Sequence, residues 1–194
     1  MTQDSERCPW CGTDPLYVHY HDTVWGRPEH DDQALFEKLC LDGQQAGLSW
    51  ITILRKQQSY RDAYANFDPE TVARFTEQDQ QRLLQNPGII RNRLKVHSVI
   101  NNARRYLELQ EQGIGFSSFL WQFVDHQPIQ NTWQRFEEVP AITKESEAMS
   151  RALKKAGFTF VGPTIVYAFM QATGMVNDHL VQCPAYQACF EMSQ

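Results

Sequence analysis

Apolar residues in this chain recur at helical spacing almost throughout, and few stretches alternate with period two. A chain written this way buries its apolar faces by packing helix on helix, so the expected fold class is all-α, with roughly seven to nine helices. Leu35, Phe36, Leu39 and Cys40 share one face of a helix expected over 32–41. Cys40, inside that stripe, reads as a buried structural thiol. Trp50, Ile51, Ile53 and Leu54 form a second stripe after Gly47. Asp68-Pro69-Glu70 is a helix start, with Asp at the N-cap and Pro at the first helical position. Thr76 to Asp79 resembles a capping box, and Asn86-Pro87-Gly88 breaks the chain. A long helix is expected over 91–110, ending at Gly113, with others over 116–124, 145–156 and 163–174. The segment 127–143 holds two prolines and little periodicity, and reads as a loop crossing the surface. With 194 residues, no repeat and no linker, the chain is expected to form a single domain.

The net charge of −5 argues mildly against nucleic acid, but its distribution argues for it. Residues 80–107 contain no acid, yet carry Arg82, Arg91, Arg93, Lys95, Arg104 and Arg105. Residues 148–177 contain no acid either, and carry Arg151, Lys154 and Lys155. A basic face on an acidic body is the electrostatic footprint of a nucleic-acid binder, although two solvated helix faces would look the same. No apolar run approaches the ~20 residues that span a bilayer. "MTQDSERC" lacks the basic n-region and apolar stretch of a secretion signal. Five cysteines in a chain of this kind favour free thiols or metal ligands over a disulfide framework, and a cytoplasmic location is expected.

Two places can carry chemistry. At the first, one helix ends at Gly157 and another begins at Gly162-Pro163, joined by the apolar link Phe158 to Val161. The start of the second helix presents free N–H groups beside Lys154 and Lys155, which suits a phosphate. This is the logic of a helix-hairpin-helix element, and an ordinary αα turn would use the same residues. At the second, possible metal ligands sit at both ends of the chain: Cys8, Cys11, His19 and His21, then His179, Cys183 and Cys189. Four residues separate His179 from Cys183, so one helical turn would aim both at one point. Two zinc sets compete, Cys8/His21/His179/Cys183 and Cys8/Cys11/Cys183/Cys189. A redox role for Cys8 and Cys11 would need a βαβ context that the pattern lacks.

The stretches "RCPW", "DPLYVHYHDTVWG", "LDGQQAGLSWITIL", "GIIRNRLKV", "FVDHQP" and "ALKKAGFTFVGPTIVYAFMQATGMVNDHLVQC" together resemble the bacterial 3-methyladenine DNA glycosylase I family, within the helix-hairpin-helix superfamily, nearly end to end. The resemblance implies a monofunctional enzyme of base excision repair. It would flip an alkylated base out of double-stranded DNA, hydrolyse its N-glycosidic bond, release free 3-methyladenine and leave the strand uncut. It implies a structural zinc on Cys8, His21, His179 and Cys183, with Cys11 and Cys189 spare. It places Gly47 and Leu48 at the plug that fills the vacated stack, and Lys154 and Gly162 on the DNA backbone. Tyr17, Tyr20 and Trp50 become contacts to the base, with Trp10 nearby and Trp25 in the core.

Asp42 stands where the family has a glutamate that reads the base edge, one methylene shorter. Asn177 stands where related glycosylases carry an aspartate, and Asp178 is one residue off. A monomer that binds no membrane is expected. The reading from another class is a non-catalytic, zinc-stapled helix-hairpin-helix DNA-binding module.

Overall fold

In a computed structural model, residues 7–193 are described. The leader reading of Met1–Glu6 therefore lies outside the described residues. Eleven α-helices are present among them, more than the sequence pattern suggests: α1 (Pro15–Thr23), α2 (Asp32–Gln45), α3 (Trp50–Leu54), α4 (Gln57–Ala63), α5 (Pro69–Ala73), α6 (Glu77–Gln85), α7 (Arg93–Glu111), α8 (Phe116–Trp121), α9 (Lys144–Lys155), α10 (Pro163–Ala172) and α11 (Pro184–Met192). The excess comes from short helices broken by turns within 50–85 and from α1 and α11 at the ends. Both terminal helices start on a proline, Pro15 after Asp14, whose side chain caps α1, and Pro184 after Cys183, which makes no side-chain cap. No helix among the described residues is long and apolar enough to cross a membrane.

Helix α2 is the centre of the fold and packs against α3, α7, α8 and α10. Its expected stripe, Leu35, Phe36, Leu39 and Cys40, is buried to within 2% of complete. Each such large apolar side chain contributes roughly 1.5–3 kcal/mol through the area it removes from water. The helix runs one turn beyond the expected end at Leu41. That turn buries Asp42, Gly43 and Gln44, so Asp42 is no surface helix-end acid.

Capping follows the sequence closely. Asp68 accepts from the Thr71 N–H at 2.9 Å, and Thr76 and Asp79 form the reciprocal capping box. The segment 127–143 is irregular, but it is not a plain surface loop. Ile129–Gln130 (β1) pairs in parallel with Val176–Asn177 (β2), Ile129 opposite Val176. After a 3-10 turn at Phe136–Glu138, residues Val139 to Ala141 wall the large cavity described below.

Candidate active site and metal centre

The hairpin between α9 and α10 is built as its glycines suggest. Gly157 takes φ +88°, and the Phe158 N–H donates back to the Leu153 carbonyl at 3.0 Å, closing α9. The Ser150 hydroxyl donates to the Val161 carbonyl at 2.6 Å. Asn102 on α7 clamps Thr159 from both sides, accepting from its N–H and donating to its carbonyl. No side chain caps α10, whose N-cap is Gly162, and Lys154 and Lys155, at the end of α9, are exposed.

The basic face is narrower than the charge count implied. Arg82, Arg93 and Arg105 pair with Asp79, Glu77 and Glu108. Lys95 is buried and is no part of that face. Its ammonium donates to the carbonyls of Gln44 and Ala46, both at 2.7 Å, and so fixes the end of α2.

That fixed end is followed by the Gly47-Leu48 turn. Gly47 has φ +77°, a conformation that L side chains rarely adopt. The Leu48 N–H donates to Gln45, and the Gln45 amide donates back to the Leu48 carbonyl at 2.6 Å. The leucine side chain is exposed and is no part of the core.

Behind this turn lies a cavity of about 510 Å³. Its aromatic wall comes from the N-terminal segment and α3. Trp10 meets the edge of Tyr17 at 5.1 Å between centroids, and Tyr20 lies 5.6 Å from Trp50. Trp25 also lines the cavity, 5.0 Å from Trp10; it is not a core residue, contrary to the sequence expectation. Asp42 forms the polar end. Its Oδ1 accepts a hydrogen bond from the ammonium of Lys38, one helical turn earlier. Its Oδ2 is buried and has no partner, and neither has the indole N–H of Trp50. Burial pushes the Asp42 carboxyl above the ordinary range, against the opposing pull of Lys38. An unpaired buried acceptor costs about 1–3 kcal/mol, a cost that a donor on a bound ligand removes.

Asp178 also reaches the cavity wall, but it is fully occupied. One oxygen accepts from Asn131 and Trp133, the other from Tyr167 and Gln171, at 2.6–2.8 Å. With four donors on its four lone-pair sites, it has none left to act on a substrate. Asn177 is buried and ties β2 to Gln130 and to the start of α11.

Next to the cavity, Cys8, His21, His179 and Cys183 bring their ligand atoms within 4.8 Å of one another, all four buried. Individual separations are 3.6 Å for Cys8 Sγ to His179 Nδ1 and for Cys183 Sγ to His21 Nε2. A tetrahedral ion with bonds of ~2.0–2.3 Å holds its ligand atoms ~3.3–3.8 Å apart, so the cluster could bind a metal with little adjustment. Each imidazole has its second nitrogen engaged, His21 with Asp22 at 2.7 Å and His179 with the Trp25 carbonyl at 3.1 Å. Such partners fix the ring orientation that a metal needs. Bonds from Cys8 and from the two histidines hold the Cys183 thiol far below its ordinary range.

Gly26, at φ +80°, admits this packing, since a Cβ there would stand 2.9 Å from His179 Nε2. Cys11 instead donates its thiol to the Cys8 carbonyl. It stands outside the cluster, as does Cys189, so the Cys8/Cys11/Cys183/Cys189 alternative is not what the fold assembles. All five cysteines are free thiols.

The methyladenine glycosylase family matches residues 10–186. The chain belongs to the methyladenine glycosylase family. It is 53% identical over 181 residues to DNA-3-methyladenine glycosylase 1 of Escherichia coli (strain K12), covering 93% of this chain and 97% of that protein. It superposes on a crystal structure of 3-methyladenine DNA glycosylase I with a TM-score of 0.91, at 51% identity, covering 92% and 98% of the two chains. It is likewise similar to a variant of 3-methyladenine DNA glycosylase I solved in complex with 3-methyladenine, with a TM-score of 0.89, at 38% identity, covering 92% and 96% of the two chains.

Within that family fold, the residue that sequence reasoning missed is Lys38. A lysine on an amphipathic helix normally belongs to the solvated face. The signal that would have found it is its i,i+4 spacing to Asp42.

Proposed function

We propose that this chain removes 3-methyladenine from alkylated duplex DNA by hydrolysing the C1′–N9 bond, acting as a monofunctional glycosylase, a monomer and a cytoplasmic protein. The observation that carries the reading is the unpaired Asp42 Oδ2 at the end of an aromatic cavity of about 510 Å³. The activity of the relatives supports it. A binder of the DNA backbone alone has no use for such a cavity.

In this reading the exocyclic amine of a flipped adenine donates to Asp42 Oδ2. Its positively charged ring lies among Trp50, Tyr20 and Tyr17, with Trp10 behind them. A cation over an aromatic face gains ~0.5–2 kcal/mol. Leu48 fills the gap in the stack, and the exposed position of its side chain supports that role. Phosphates meet the first N–H groups of α10 and Lys154, where Gly162 leaves open space for a close approach. Zinc on Cys8, His21, His179 and Cys183 is structural, because four protein ligands leave no open position for water.

Little chemistry is then asked of the protein. The lesion is cationic, so when the C1′–N9 bond breaks, its electron pair neutralises the departing base. Water adds to C1′ and loses its proton to solvent, leaving an abasic site. Asp42 holds the base, and its negative charge favours a cationic lesion over neutral adenine.

The test is liquid chromatography of the bases liberated from methylated DNA. Free 3-methyladenine is the expected product; its absence overturns the reading. Two variants separate the DNA contacts. Leu48→Ala should lower excision about tenfold or more while leaving the melting temperature unchanged, because an exposed side chain contributes little to the fold. A drop in melting temperature with unchanged excision would return Leu48 to a structural role. Lys154→Ala should weaken binding to lesion and intact duplex alike and reduce the slope of log K against log salt by about 0.9, one phosphate contact. A loss confined to lesion DNA would contradict it.

A further inference from the structure

Lys38 is the one cationic side chain among the described residues lining the main cavity. Its ammonium sits 3.7 Å from the centroid of the Trp50 ring and donates to Asp42 Oδ1. An aromatic face and a carboxylate are the two features that recognise a cationic purine, and here a cation of the protein occupies both. The same side chain also borders a second cavity of about 320 Å³, lined by Glu37, Gln57 and Arg61. There the carboxylate of Glu37 accepts from Gln57 and from Arg61, both on Oε1. Lys38 therefore stands between Asp42, which lines the main cavity, and Glu37, which lines the second.

We propose that Lys38 determines the specificity of the pocket as a displaceable stand-in for the substrate's charge, resting on Trp50 and Asp42 when the pocket is free and moving toward Glu37 when a cationic base enters. This rests on the glycosylase reading given above and deepens it. While Lys38 is in place it balances the Asp42 charge, which would otherwise be buried alone at a cost of several kcal/mol. A cationic base replaces that balance when it displaces the lysine. A neutral base does not, and would leave Asp42 charged and unbalanced. The device thus sets a threshold that normal adenine fails to meet, and every cationic ligand binds against the competition of Lys38.

The probe is the 3,9-dimethyladeninium cation, in which a methyl group replaces the sugar. Calorimetric titration into the full-length protein and into Lys38→Met should show the variant binding it about tenfold more tightly, since the internal competitor is gone. In protein labelled with 13C-lysine, the Lys38 Hε signals should be shifted upfield by the Trp50 ring in the free protein. On saturation with the cation they should return to ordinary values. Equal or weaker binding by a folded Lys38→Met, or Hε signals that stay upfield in the complex, would overturn the proposal. If Lys38→Met does not fold, the lysine signals alone decide, assigned with Lys38→Arg. Wild-type release of 3-methyladenine from methylated DNA together with either contrary result sinks this inference alone. No release by the wild type sinks the glycosylase reading, and this inference with it.

Discussion

Cys183→Ala and His179→Ala should each lose bound zinc and melt ~10 °C or more below the parent. The binding energy of a structural metal is folding free energy, and ~4 kcal/mol corresponds to roughly 8–16 °C in a chain of this size. The four ligand atoms lie within 4.8 Å of one another, and they join the segment before α2 to the segment that follows β2. Cys8, Leu180, Cys183 and Ala185 form a small apolar cluster of their own, apart from the main core. Cys11→Ser and Cys189→Ser should keep the metal. Elemental analysis beside a thermal melt reads both quantities. Zinc lost from Cys11→Ser but retained in His21→Ala would refute the ligand set.

Asp42→Asn should lower kcat/KM for 3-methyladenine excision ~10–100-fold. It replaces a charge-assisted hydrogen bond with a neutral one, and it removes the negative charge that favours a cationic base. It also strips Lys38 of its partner, so a melt must accompany the kinetics. Asp42→Glu carries the acid one methylene further into the cavity and should retain 3-methyladenine release. If the shorter acid shapes the pocket for another base, Asp42→Glu will shift the ratio of released bases toward 3-methyladenine. Parental rates and ratios in both variants would remove Asp42 from the site.

Some of this architecture was legible in the sequence because its signals are local. The capping box of Thr76 and Asp79, the proline starts, and the Gly157 to Gly162 turn each need only a few neighbouring residues. The buried stripe of α2 was legible for the same reason. Its last turn was not, since Asp42 and Gln44 read as a polar end; Lys38, one turn earlier, meets Asp42, and Lys95 and Tyr60 from other helices meet Gln44. Helices α1 and α11 were missed although Asp14-Pro15 and Cys183-Pro184 mark their starts, because they lack a clean apolar stripe and lie against the metal cluster. The charge windows misled in part for a similar reason. Arg82, Arg93 and Arg105 find their acids just outside the windows, and Lys95 finds carbonyls on another helix.

The cluster joins Cys8 to His179, 171 positions apart, and this orders events during synthesis. Helices α2 to α10 can pack as they leave the ribosome, and with them come the hairpin, the exposed Leu48 and the buried Asp42. The wall of the base pocket supplied by Trp10, Tyr17 and Tyr20 is made before α2, yet two of the side chains that pin it, His179 and Cys183, follow α10. Until Cys183 emerges, a nascent chain can touch a duplex but has nowhere to enclose a base. Enclosure of the pocket thus waits on a contact that spans the whole fold.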